Sequence, residues 1–277
     1  MTDKKMTYDI DEMPPIGEAL VLAYQHLFAM FGATILVPIL VNAQAGEEVL
    51  TIPVALVSSG IGTLIYILCT GAKSPVYLGS SFAFIVPVAA AYMKSGLGGA
   101  MTGIMAVGLI YVVVSFIIRA VGEKWLEDLL PPVVIGPMIM IIGLGLAPSA
   151  VSQIGLTGGT KMEIRVVIVA LISFIVTAVV MTAARGFLKI IPFLVGITVG
   201  YIAAVVFGLV DFTAVYEASW FAVPQFKIIF RDYTPDFTAL ITIAPIALVT
   251  MCEHIGDHTS LSNIIGRNLI EDPGLHR

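Results

Sequence analysis

The sequence predicts an all-α integral membrane protein, and two observations carry that prediction. Hydrophobic residues make up 58% of the chain and charged residues only 12%, with a mean hydropathy of +1.00, whereas an ordinary soluble domain carries about 25% charged residues. The charges also punctuate the chain, leaving uncharged runs at 19–46, 49–72, 74–93, 95–118, 129–160, 166–184, 190–210 and 237–252. A helix needs about 20 apolar residues to cross a bilayer. Seven runs meet or approach that length and the eighth does once Glu253 is included, so eight transmembrane segments are expected. The net charge of -5 is spread over loops and the N-terminal tail, which points away from nucleic acid and from a polybasic lipid anchor. Cys69 and Cys252 both lie in apolar segments, too few for a disulfide framework and wrongly spaced for structural zinc. They read as packing residues.

Residues 1–15 are polar and acidic where a signal peptide would have a basic region running into a short apolar core. They form an expected cytoplasmic tail. With the N-terminus inside, nine Lys and Arg fall on the cytoplasmic side (Lys4, Lys5, Lys73, Arg119, Lys124, Arg185, Lys189, Arg267 and Arg277) against five outside, in keeping with the positive-inside rule. The first span, Ile16 to Val41, carries Gln25 and His26 mid-membrane and the small run Gly32-Ala33-Thr34. Polar groups at that depth face other helices, and small residues let backbones approach, so Gln25 and His26 read as structural polar residues. The second span, Leu50 to Thr70, reads as a close-packed scaffold helix that offers no chemistry.

The third segment differs in kind. Between Lys73 and Lys94 it carries Pro75, Gly79, Ser80-Ser81 and Pro87. An extended piece at Val76 to Leu78, followed by a short helix starting near Ser80 or Ser81, fits that pattern. Non-helical backbone at membrane depth is tolerated only where it is buried in protein or lines a cavity, and a half-helix starting there aims free N–H groups and a positive dipole end at whatever lies before it. Short, Gly/Pro-interrupted apolar segments point to a transporter's midplane site. An ordinary Pro-kinked helix is the competing reading.

Spans one to four thus occupy 16–120. Residues 121–131 hold the amphipathic stretch E-K-W-L-E-D-L-L-P-P, with Trp125, Leu126, Leu129 and Leu130 opposed to Glu123, Lys124, Glu127 and Asp128, as expected of an interfacial linker. Spans five to seven fill 132–210 and carry no ionisable residue across their apolar stretches, which suits a scaffold or gate. The outer loop, 211–236, places Trp220, Phe221 and Phe226 among charges, as in an interfacial aromatic belt.

Residues 237–277 hold the eighth span and a cytoplasmic segment. Glu253 follows sixteen uncharged residues, Phe237 to Cys252, and shares a helix face with Asp257 four positions on. A charge in hydrocarbon costs several kcal/mol and faces a bundle interior, a water-filled cavity or a partner, which makes Glu253 a site candidate. A solvated helix end is the alternative for Asp257 and His258.

Four ordered strings carry a family resemblance: Q-H-L-F-A-M-F-G-A-T (Gln25 to Thr34), Y-L-G-S-S-F-A-F (Tyr77 to Phe84), E-H-I-G-D (Glu253 to Asp257) and D-P-G-L-H-R (Asp272 to Arg277). They are similar to the nucleobase/ascorbate transporter family, in wording closest to its bacterial uracil-permease branch. The resemblance implies a fourteen-span fold of two inverted seven-span repeats, of which this chain supplies the first half and the start of the second. Spans one to four and eight belong to a substrate-holding core domain and spans five to seven to a gate domain. The broken third segment is a short strand plus a half-helix. The implied substrate-binding residues are Glu253 and Phe82, with Ser81 and Ala33 beside them and Asp257 at a position that varies between uracil and purine members. Inverted repeats need both members to form the midplane site, so the chain is expected to be a fragment of a longer protein.

The implied activity is transport without enzyme chemistry: proton-coupled uptake of a nucleobase, uracil first and xanthine as the alternative, across the bacterial cytoplasmic membrane. Protons are the coupling ion and no other cofactor is expected; Glu253, with Asp257 or His254 as relay, is the expected coupling set. The lipid bilayer and the base are the expected partners, with homodimerisation implied by the family. A metal site built on Glu253, His254, Asp257 and His258 is a rival reading, weakened by the lack of a further ligand cluster in other spans. A membrane subunit that transports nothing is another.

Overall fold

A computed structural model describes residues 8–156, 162–185, 188 and 191–277. Ten α-helices account for most of these residues: α1 (Ile16–Ala45), α2 (Ile52–Thr70), α3 (Ile85–Val121), α4 (Lys124–Leu129), α5 (Pro132–Gln153), α6 (Ile164–Ala183), α7 (Pro192–Val206), α8 (Thr213–Glu217), α9 (Leu240–Ile243) and α10 (Ile246–Ile265). By length and composition four helices can cross a membrane, or five if the bent α9–α10 pair counts as one span. All eight expected segments lie on helix, but α7 and the apolar part of α1, Met30–Ala45, are shorter than a full crossing. Large apolar side chains cover the outside, among them Leu68, Leu109, Phe116 and Phe174, as expected of helices whose surroundings are hydrocarbon.

The helices fall into two compact units. The first comprises the described parts of Met1–Ala19, Thr34–Gly143 and Gln225–Arg277; the second comprises those of Leu20–Ala33 and Leu144–Pro224. In the second unit α6 and α7 form a tight pair. Ser173 Oγ–H donates to the Gly196 carbonyl at 2.9 Å, and a Cβ placed on Gly200 would come within 2.8 Å of Ser173 Cβ. Small residues let these two backbones approach, the usual basis of packing between apolar helices in lipid.

The first unit contains the irregular segments. Residues 75–81 are extended, a 3-10 turn at Phe82–Phe84 follows, and α3 runs on from Ile85. A half-helix therefore starts inside the apolar run, as the proline and glycine pattern predicts. It stops at Gly96, whose φ of 63° and ψ of -165° lie in a region open essentially only to glycine. The remainder of α3 covers the expected fourth span. Its glycine-rich start has a steric cause: a Cβ on Gly103 would lie 2.9 Å from Ile243 Cβ on α9. Nearby, Ser95 and Thr238 hydroxyls meet at 2.7 Å and Asp236 N–H donates to Thr102 Oγ1 at 3.2 Å.

One expectation needs correction here. The piece at Val76 to Leu78 is extended but is not a strand; among the described residues the only β-type pairing is an isolated bridge between Ile229 and Tyr233. A strand needs a ladder from a neighbouring strand, and α2 side chains take that role. Thr63 Oγ1 accepts the Leu78 N–H at 3.0 Å, and Ser59 Oγ–H donates to the Leu78 carbonyl. The eighth expected segment, for its part, is bent. It begins with a 3-10 turn at Phe237–Ala239, capped by Asp236, and α9 and α10 meet at 41° across Ala244-Pro245. Proline brings no N–H to the helical ladder and its ring clashes with the preceding turn.

The amphipathic linker forms α4, with Leu126 and Leu130 buried; Leu129, expected on the same face, is 55% exposed. In the 211–236 loop Trp220 and Phe221 are each 97% exposed.

Candidate substrate site

The site is assembled where the half-helix begins. Ser81 is extended (φ -79°, ψ 133°) and caps the 3-10 turn by accepting the Ala83 N–H at 3.2 Å. Its hydroxyl hydrogen points the other way, donating to Glu253 Oε2 at 2.6 Å. A short, charge-type hydrogen bond therefore joins the broken third segment to α10, with both side chains half-buried. Phe82, next in the chain, is also half-buried, so an aromatic ring and a carboxyl lie at the start of one half-helix.

On α10 the other expected residues diverge. Asp257 is exposed, one turn beyond Glu253. His254 is half-buried and lies against the rings of Tyr66, 6.1 Å between centroids, and His258, 4.2 Å. Ala33 and His26 lie on the α1 stretch that belongs to the second unit, and the side chain of Gln25 lies outside the described residues.

Residues that the sequence reading passed over complete the surroundings. His258 is 3% exposed and so is not part of a solvated helix end. Its Nδ1–H donates to the His254 carbonyl at 2.9 Å, and its Nε2 lies 2.8 Å from the Tyr66 hydroxyl and 3.0 Å from Ser74 Oγ. A carbonyl can only accept, so Nδ1 carries the hydrogen, and in the neutral ring Nε2 accepts from the hydroxyls. Both ring nitrogens are thereby engaged. Among the described residues no group of three or more His, Cys, Asp and Glu converges as a metal-binding set. The second span is therefore not inert. Ser59, Thr63, Tyr66 and Thr70 recur at helical spacing along α2; Ser59 and Thr63 hold Leu78, and Tyr66 holds His258. That stripe is the available signal, and reading the second span as a close-packed scaffold helix without chemistry passes over it.

Around this centre α10 is packed tightly. Tyr111 O–H donates to Thr250 Oγ1 at 2.9 Å, Cys252 Sγ lies 3.3 Å from Met138 Sδ, and a Cβ on Gly256 would lie 3.0 Å from Ile135 Cγ2. Cys252 is fully buried while Cys69 is exposed. At the C-terminal end of the chain Lys73 Nζ reaches both carboxylate oxygens of Asp272, at 2.7 and 2.8 Å, and Ser115 O–H donates to the His276 carbonyl. The D-P-G-L-H-R string is thus docked against the start of the extended segment and against α3. Arg267 forks onto Asp9 and Asp11 at 2.7 Å each, tying the N-terminal segment to the end of α10.

The sequence is similar to known proteins over nearly its whole length. Residues 17–277 match a family model described as a permease family. The chain is 47% identical over 275 residues to a uracil permease of Bacillus caldolyticus, covering 99% of this chain and 62% of that protein. It is 44% identical over 283 residues to a uracil permease of Bacillus subtilis, covering 100% and 63%, and 40% identical over 272 residues to a uracil permease of Escherichia coli K12, covering 97% and 60%. The chain therefore spans less than two thirds of the length of these relatives. With a match over nearly its whole length and these identities, the chain belongs to this permease family.

Proposed function

We propose that the protein moves a nucleobase, uracil foremost, into the cell across the bacterial cytoplasmic membrane together with a proton, and catalyses no chemical conversion. The hydrogen bond between Ser81 and Glu253 is the observation that carries this reading. It sets a carboxyl beside the positive end of a half-helix within an apolar bundle, next to Phe82. Uracil presents alternating N–H donors and carbonyl acceptors on a flat ring. Glu253 Oε2 is held by Ser81, and Oε1 takes a ring N–H; Phe82 offers its ring to the face of the base. A protonated Glu253 also donates to a base carbonyl, and its release of that proton inward couples transport to the proton gradient. Asp257, one turn nearer the cytoplasm, and His254 relay the proton. The names of the relatives, uracil permeases of bacteria, support uracil over xanthine.

In this reading the N-terminus is cytoplasmic. Residues 16–120 and 237–277 belong to the substrate-holding core and 132–210 to the gate. The residues beyond this chain's match to its relatives supply the second inverted repeat, and two copies pair through their gates. The experiment is uptake of labelled uracil and xanthine into proteoliposomes holding the full-length protein, with and without an inward proton gradient. Gradient-driven uracil accumulation that Glu253→Gln abolishes is the expected result. Xanthine accumulation in preference to uracil would overturn the substrate assignment. Accumulation by Glu253→Gln equal to wild type would overturn the coupling role.

A further inference from the structure

Helix α2 touches both halves of the site without contributing a residue to it. On one side Ser59 and Thr63 hold the carbonyl and N–H of Leu78, three residues before Ser81. On the other Tyr66 holds Nε2 of His258, five residues after Glu253. Ser74, at the start of the extended segment, shares that same nitrogen at 3.0 Å. An extended segment has no internal ladder, so its register rests on what it is tied to. A helix packed through apolar surface alone rotates and slides cheaply, because dispersion contacts are individually weak and non-directional. Hydrogen bonds to a buried imidazole supply direction beyond that of the Tyr111–Thr250 bond, and such a group is costly to leave unpaired.

We propose that Tyr66, Ser74 and His258 are positioning residues: together with Ser59 and Thr63 they make α2 a jig that fixes the rotation of α10 and the register of the extended segment, so that Glu253 and Ser81 meet. The inference rests on the reading of Glu253 and Ser81 as the substrate site. It goes beyond that reading by assigning its geometry to a polar cluster that joins α2, Ser74 and α10. His258 acts here as a two-ended connector. Its Nδ1–H ends on the backbone of its own helix, and its Nε2 reaches across to α2 and to Ser74, so a side chain that keeps an acceptor at the Nε2 position preserves the cross-helix link.

The test uses full-length protein in proteoliposomes and three variants: Tyr66→Phe, His258→Phe and His258→Gln. Two readouts are taken, the KM and maximal rate of uracil uptake and the infrared band of the Glu253 carboxyl group, identified by its loss in Glu253→Gln. Loss of one such hydrogen bond is worth about 1.4 kcal/mol, or roughly a tenfold change. Tyr66→Phe and His258→Phe are expected to raise KM roughly tenfold and to shift the Glu253 band, because its bond to Ser81 lengthens. His258→Gln should restore both readouts to near wild type. A purely structural role predicts a lower thermal midpoint with KM and band unchanged, and that result overturns the proposal. Tyr66→Phe removes one oxygen and keeps the ring, so it decides the matter if His258→Phe fails to fold. If wild type takes up no uracil the substrate reading fails; the Glu253 band in Tyr66→Phe still decides whether the jig exists.

Discussion

Ser81 and Glu253, 172 positions apart in the chain, share a hydrogen bond of 2.6 Å, and the same Ser81 oxygen accepts the Ala83 N–H at 3.2 Å. One hydroxyl thus starts the half-helix and holds the carboxyl. Ser81→Ala removes both interactions, with about 1 kcal/mol expected from the lost cap alone. Uracil binding should weaken roughly tenfold by isothermal calorimetry on the full-length protein, while Ser81→Thr, which keeps the hydroxyl, should bind within about threefold of wild type. Wild-type affinity in Ser81→Ala would mean that the bond does not organise the site.

Gly96 separates the half-helix from the fourth span with φ 63° and ψ -165°. Any Cβ is strained there, so Gly96→Ala should cost about 1–3 kcal/mol. Gly108, farther along the same helix with open space around it, is the control: Gly108→Ala should be neutral or stabilising by up to about 1 kcal/mol. Thermal unfolding in detergent separates the two. Equal midpoints would show that the break at Gly96 is not maintained.

Gly103 leaves room for Ile243, whose Cβ would lie 2.9 Å from an added Cβ. Gly103→Leu should overpack the contact between α3 and α9 and destabilise by about 1–3 kcal/mol. Combining it with Ile243→Ala should recover part of the loss, a positive coupling that a double-mutant cycle on the unfolding midpoints measures. Strict additivity would mean that the two positions do not touch.

Arg267 joins the N-terminal segment to α10 through Asp9 and Asp11. The Asp9 carboxyl is held below its usual value of 3.8, chiefly by the Ile10 N–H and further by Arg267, against an opposing effect of desolvation. A depressed acid stabilises the folded arrangement above its ordinary pKa, and that contribution is lost as pH falls through the lowered value. The segment should therefore stay attached at neutral pH and release only below about pH 3.8. Arg267→Ala should free it at pH 7, and raised salt should loosen it in wild type because the pairs are exposed. Mobility of a spin label at position 8 reports both. A label equally mobile in wild type and Arg267→Ala at neutral pH would contradict the clamp.

Composition and the spacing of charges were enough to establish a helical membrane protein, since hydrocarbon rejects charge and unpaired backbone wherever a segment sits. Pro75, Gly79 and Ser80-Ser81 likewise announced a broken segment, because those residues act on their own backbone. The four family strings named the relatives, and Glu253 stood out as an acid after sixteen uncharged residues. Local chemistry did not reveal where partners would come from. Whether Ser81 or Ser80 meets Glu253, whether Leu78 pairs with another strand or with Ser59 and Thr63, and whether His258 faces water or Tyr66 all depend on which helix packs alongside. Pro245 stands in the sequence, yet only the structure shows that Ile243 and Ala239 before it lie against Gly103 and Gly99 of α3. Hydrogen bonds across 172 and 192 positions are set by packing, and packing depends on the shapes of surfaces far apart in the chain.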